Sequence, residues 1–214
     1  MAWTPLPETV EITVDTPQPK EFTLDPKKTA VLVVDMENYF CKQGNQRAFD
    51  VIEGNVRLLA KAHAAGAKVF YSHSVRQVES PEHTVFGRPV HLIVGTWGAG
   101  IVDEIAPQPE RGDIVIQKWS HDIWAWYGLE AALEREGLMG GDATLLITGV
   151  GAAGCVHSAS LGASNRNYRT LIPLDCGASD IGGEARVYHQ YLSEAYQQNM
   201  DFTLSTMVNF EGRQ

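Results

Sequence analysis

Cys155 stands where a glycine-rich turn meets a helix-like segment, in the run ATLLITGVGAAGCVHSASLGAS (143–164). ATLLIT has the length and apolar character of a strand. The glycines at 149, 151 and 154 suit a sharp turn, and CVHSASLGAS carries small and apolar residues at helical spacing. A cysteine at a helix N-terminus meets N–H groups that lack intrahelical acceptors, and the positive end of the helix dipole. Both favour a thiolate and lower its pKa. The N–H groups of Gly154 and Cys155 form a candidate oxyanion hole, worth ~3 kcal/mol per donor. The pattern suits a nucleophile. It also suits a small buried apolar residue, the usual lot of a free cysteine.

Two charged residues close other apolar runs. TAVLVVD (29–35) ends in Asp35, and DIVIQK (113–118) ends in Lys118. In open α/β sheets ligands bind beyond the carboxyl ends of strands, where both residues fall. Thiol, carboxylate and ammonium together suit nucleophilic acyl transfer. The thiolate attacks a carbonyl, the carboxylate moves the proton, and the ammonium stabilises negative charge. No histidine is required. Asp35 also suits a turn or a helix cap, and a lone lysine is usually solvated. Pocket candidates are Phe40 in MENYFCKQGN, His73 at the end of AKVFYSH, and Trp119 and Trp124 in the aromatic run WSHDIWAWYG. Packing is the competing reading for His73 and for the tryptophans.

The elements that must position these residues alternate between strand and helix. Strands are expected at 29–35, 67–73, 113–118, 143–148 and 169–175, with a last edge strand in DFTLSTM (201–207). Helices are expected at 48–65, closed by Gly66, at 129–136, from Cys155 onward and at 183–198. Buried strands joined by helices predict an α/β fold: a single-domain, doubly wound, mostly parallel sheet flanked by helices. Residues 1–28 hold five prolines and the patch VEITV, and read as an N-terminal extended arm, as an edge strand or as a tail. The domain is expected over 29–214. Residues 74–112 are irregular, with a short helix expected in GTWGAGIVDEI, and suit a lid or plain connection. Cys176 reads as structural.

A net charge of −9 argues against nucleic acid and anionic membrane as partners. No apolar run approaches the ~18 residues of a membrane span. The first residues show no secretory signal. Three cysteines without a CxxC pair fit a reducing compartment, so a cytoplasmic protein is expected.

VVDMENYF, DIVIQK and LLITGVGAAGCVHSA, with GTWGAGIVDEIAPQPERGDIVIQK between the first and last, resemble the isochorismatase-like cysteine hydrolases over roughly residues 28–208. The resemblance implies a catalytic triad of Asp35, Lys118 and Cys155, and a cis peptide at Val150–Gly151. It also implies a homo-oligomer, dimer or tetramer, with no cofactor. The metal-binding Asp-x-His of nicotinamidases is replaced by YSHSVRQ, so no metal is expected. GCV and LDC look like N-carbamoylsarcosine and maleamate amidohydrolases, and GTWGAGIVDEI like ureidoacrylate amidohydrolases. The implied activity is a metal-independent cysteine amidohydrolase, cleaving the C–N bond of a small carboxamide or ureido substrate through an acyl-enzyme. The alternatives are an isochorismatase-type vinyl-ether hydrolase and a non-catalytic binding module.

Overall fold

Thr29–Val34 (β2) is buried at every position, and the molecule is layered around it. Successive strand side chains face opposite ways. Ala30, Leu32 and Val34 enter one core with Phe70, Leu145 and Ile147, while Val31 and Val33 enter a second with Val69, Tyr71 and Leu146. A sheet apolar on both faces needs a helical layer on each. The computed structural model describes residues 18–43, 46–125, 127–178 and 200–211.

In chain order the strands are β1 (Phe22–Leu24), β2, β3 (Lys68–Ser74), β4 (Ile114–Lys118), β5 (Thr144–Val150), β6 (Arg169–Pro173), β7 (Gly177–Ala178), β8 (Met200–Thr203) and β9 (Val208–Phe210). The helices are α1 (Asn38–Lys42), α2 (Gln46–Asp50), α3 (Ile52–Ala65), α4 (Pro81–Thr84), α5 (Leu129–Arg135) and α6 (Cys155–Asn165). The main sheet runs β4-β3-β2-β5-β6-β8, all pairs parallel, with β7 alongside β5. Winding proceeds outward from β2 through β3 to β4, then returns to β5 on the other side of β2. The expected doubly wound α/β sheet is present, and its winding reverses between β2 and β5. That is the crevice where such sheets bind ligands.

α5 and α6 pack on one face, through Leu129, Leu133, Val156 and Ala159; α3 packs on the other, through Leu58, Leu59 and Ala62. Gly66 ends α3 at φ 78°, its N–H reaching the carbonyls of Ala62 and His63. The Asn55 amide donates to the Val51 and Cys176 carbonyls at 2.8 and 2.9 Å, tying α3 to the segment after β6.

Some expectations need correcting. The single helix expected over 48–65 is two, α2 and α3, divided at Val51. GTWGAGIVDEI forms two short 3-10 turns, Trp97–Ala99 and Asp103–Ile105, rather than one helix. The last edge strand is shorter than DFTLSTM: β8 ends at Thr203, and β9 leaves the main sheet to pair in parallel with β1. The patch VEITV and the helix expected at 183–198 lie outside the described residues. No helix among the described residues is long and apolar enough to cross a membrane.

Candidate active site

Asp35 follows β2 with φ 51°, a left-handed backbone that an aspartate adopts at some cost. Several bonds hold it there. Its N–H donates to Ser72 O at 3.2 Å, and its Oδ1 accepts from Ser72 Oγ at 2.5 Å. Ser72 belongs to the neighbouring strand, where it pairs with Val34. On the other side of β2, Gly149 lies against Val34; a Cβ there would meet Val34 O at 1.9 Å, and its φ is +111°. Only glycine lets β5 pass so close.

Lys118 ends β4, opposite Ser74 of β3, and its side chain is wholly buried. Its Nζ donates to Asp35 Oδ2 at 2.8 Å, to Ser120 O at 2.9 Å and to Cys155 Sγ at 3.4 Å. A buried ammonium with an anionic partner and two more acceptors is well compensated. Burial pulls its pKa down, but Asp35 and Cys155 outweigh that and hold it above the ordinary lysine value. It is a fixed cation.

Cys155 opens α6, beyond a turn in which Gly151 O accepts from Gly154 N–H at 2.7 Å and from Val156 N–H at 3.0 Å. This corrects the expected oxyanion hole, because the Gly154 N–H is already committed. Cys155, the first residue of the helix, keeps an N–H with no acceptor a turn earlier in the helix. The Val150–Gly151 peptide is trans, as are the other described peptides, so the cis bond implied by the resemblance is absent. The turn is made instead by Gly151, at φ 82°.

The electrostatics also depart from expectation. Burial pushes the Cys155 thiol well above its usual pKa, the Asp35 charge adds to this, and Lys118 opposes it without prevailing. The helix-end effect inferred from sequence is local; desolvation and a facing carboxylate are stronger. The resting Cys155 is therefore a thiol. Cys41 and Cys176 are also raised, Cys41 to about 12, both chiefly by burial. Surroundings, not acidity, set Cys155 apart: it is partly exposed, bonded by Lys118, and within 3.2 Å of His121 Nδ1.

These residues face a cleft of about 530 Å³, lined by Asp35, Cys155, Ser120 and His121, by Phe40 of α1 and Glu82 of α4, and by Arg76, Arg88 and His91. The size is that of a small-molecule site. Of the four pocket candidates Phe40 lines it. His73 does not; its Nε2 is 2.6 Å from Ala99 O and holds the 97–99 turn. Trp119 lies outside, half-exposed and edge-on to Tyr127 with ring centroids 4.8 Å apart. Trp124 is core, its Nε1–H bonded to Ala159 O at 2.8 Å under α6. A Cβ on Gly162 would meet its ring at 2.1 Å.

Sequence reading missed Ser72, Glu37 and His121. Glu37 is fully buried two residues after Asp35, with Oε1 accepting from Ser74 N–H at 2.6 Å and Oε2 without a partner among the described residues. Burial first, then Asp35, raises its pKa well above the carboxylate range, so it is held neutral. Among the described residues no three His, Cys, Asp or Glu side chains group as metal ligands.

The profile of the Isochorismatase domain matches residues 29–204. The chain belongs to the isochorismatase family. It is a hydrolase of that family. The ureidoacrylate amidohydrolases RutB of Rhizobium rhizogenes and Agrobacterium fabrum are each 28% identical to it over 179 residues. The match spans 71% of this chain and 70% and 76% of theirs. The N-carbamoylsarcosine amidase of Thermoplasma acidophilum superposes with a TM-score of 0.70 and 26% identity, over 83% of this chain and 96% of that one. A cysteine hydrolase of Pseudomonas syringae pv. phaseolicola superposes at 0.72 over 88% of this chain and 94% of that one; at 18% identity it shows the fold alone.

Proposed function

We propose that the protein is a cysteine amidohydrolase that cleaves the C–N bond of a small carboxamide or ureido compound. The observation that carries this is the contact of Lys118 Nζ with both Asp35 and Cys155 at the base of the cleft. The names of the relatives, ureidoacrylate amidohydrolase and N-carbamoylsarcosine amidase, point to the same bond.

Because the resting nucleophile is a thiol, its proton must leave as the sulfur attacks. Asp35 is the acceptor. The S–C bond forms while the proton passes to the carboxylate, and Lys118, already charged, meets the negative charge that develops. The Cys155 N–H at the head of α6 adds a donor for the oxyanion. Asp35 then returns the proton to the departing nitrogen, the C–N bond breaks, and an acyl-enzyme remains. Water attacks that thioester, gives one proton to Asp35, and the same proton ends on Sγ as the acid product leaves. His121, 3.2 Å from Sγ, is a second group able to hold a proton beside the sulfur.

The experiment is ammonia release from a panel of ureido compounds and primary carboxamides, with Cys155→Ala alongside and intact mass measured during turnover. The amidohydrolase reading expects release, an acyl adduct on the wild-type chain, and no release from the variant. Release undiminished in Cys155→Ala would overturn it. Activity on a vinyl ether that survives the same substitution would favour the isochorismatase-type reaction.

A further inference from the structure

We infer that the protein has a second small-molecule site, between α3 and the segment 104–111, which takes a neutral single-ring compound bearing a hydroxyl group, a phenol or a ring alcohol. The site is independent of the proposed reaction. Its pocket shares no described lining residue with the catalytic cleft. Tyr71 and Leu59, which line it, belong to the core on the α3 face of the sheet, whereas Cys155 packs against the other core.

The pocket has a volume of about 240 Å³. Sites for drug-sized ligands run from roughly 300 to 1,000 Å³, so one ring with a short substituent is what fits here. Val56, Leu59 and Ala60 of α3 make one wall, and Ile105 and Ala106 the other. Local bonds pre-form the second wall: Ile105 N–H donates to Val102 O at 3.1 Å, and Gln108 N–H to Asp113 Oδ2 at 2.8 Å. Apolar walls on two sides favour a ring over an extended polar chain.

Tyr71 supplies the polar contact. It is buried, it lines the pocket, and its Oη makes no hydrogen bond of sound geometry among the described residues. The nearby Asp113 carboxylate is already engaged, its Oδ1 2.8 Å from His63 Nε2 and its Oδ2 accepting from Gln108. Burial first, then the charge of Asp113, raises the Tyr71 pKa above the ordinary phenol value, so the group stays an O–H. A buried hydroxyl left unanswered is costly, and a ligand or water is the usual remedy. A ligand hydroxyl both donates and accepts, so it answers Tyr71 whichever way the O–H points.

The charges around the pocket call for no ion. Glu104 is bonded by Lys42 Nζ at 2.8 Å, and Asp113 is held by His63 and Gln108. Arg111 is exposed in the 3-10 turn Pro109–Arg111, where water solvates its charge. A neutral ligand fits this balance.

The test is a ligand-observed NMR titration of the full chain with phenol, and with toluene as a probe of nearly the same shape without the hydroxyl. Phenol is expected to bind with a Kd of roughly 1 mM, in the range a ligand of this size sustains. Tyr71→Phe should weaken phenol 5-fold or more and leave toluene no weaker, with no loss of melting temperature, because no protein bond is removed. Ala60→Trp, at an exposed helix position, fills the mouth of the pocket and should weaken phenol 10-fold or more. It keeps the test decisive should Tyr71→Phe fold poorly. No phenol binding below about 10 mM would overturn the site. So would phenol binding that Tyr71→Phe leaves unchanged, or that Ala60→Trp leaves unchanged, the latter placing phenol elsewhere on the protein.

Discussion

Ser72 Oγ donates to Asp35 Oδ1 at 2.5 Å, with both side chains closed off from solvent. The bond crosses from β3 to the end of β2, and with Lys118 on Oδ2 it fixes both oxygens of the carboxylate. A donor to a charged acceptor in such a place contributes about 1.5–3 kcal/mol. Ser72→Ala is expected to lower kcat/KM by about 10- to 100-fold. Steady-state kinetics beside a far-ultraviolet spectrum checks it; an unaltered kcat/KM in a folded variant would separate Ser72 from the chemistry.

Burial holds the Cys155 thiol protonated, the Asp35 charge adds to this, and Lys118 opposes both. Alkylation by iodoacetamide, which needs the thiolate, is therefore expected to be slow at pH 7 and to rise with pH beyond the free thiol range of ~8.5. Asp35→Asn removes the negative charge, so its alkylation profile should move to lower pH even as catalysis is lost. Lys118→Met should move the profile the other way. Peptide mass spectrometry at Cys155 reads both shifts. A wild-type profile centred well below pH 8.5 would contradict the burial effect described here.

Glu37 links stability to pH. Its folded pKa is raised above the unfolded carboxylate value, so the folded state binds the extra proton. Its contribution is full below the unfolded pKa of ~4.3 and declines as pH rises above it. Glu37→Gln carries no such charge. Its melting temperature should gain on that of the wild type as pH is raised from 5 to 8, by about 2–4 °C for each kcal/mol. A difference between the two proteins that does not change with pH would refute the linkage.

Trp124→Ala separates packing from substrate contact. The ring is buried under α6, stacked by the Arg166 guanidinium at 4.6 Å and bonded through Nε1. Losing it should cost about 3–5 kcal/mol of stability. The expected result is a melting temperature lower by about 10 °C or more, with KM little changed at a temperature where the variant is folded. A raised KM with unaltered stability would return Trp124 to the pocket.

What the sequence made legible was mostly the ends of strands. A charged residue closing a buried apolar run is visible in TAVLVVD and DIVIQK, and parallel topology then brings Asp35 and Lys118 to one edge. The glycine turn before Cys155 was legible for the same reason. Ser72 was not, because a serine inside a strand has no pattern of its own; its role depends on the register that sets it opposite Val34. His121 was hidden in an aromatic run, and that run misdirected the pocket: composition cannot say whether Trp124 turns to the cleft or under a helix. Arg76 and Arg88 sit in the irregular segment 74–112, whose path is set by long-range bonds such as Arg76 N–H to Leu92 O. The acidity of Cys155 was misjudged because neither its burial nor a facing carboxylate 120 positions earlier is a local signal.

The spatial order β4-β3-β2-β5 brings together Lys118 at the end of β4, Ser72 in β3, Asp35 just past β2 and Cys155 at the head of the helix that follows β5. A slip of one residue in any of them would turn a side chain to the opposite face. An enzyme assay on this protein is thus also a registry gauge for the middle of the sheet. During refolding, activity should return only with the last of these four strands. In a partly denatured sample it should vanish with the first strand to leave.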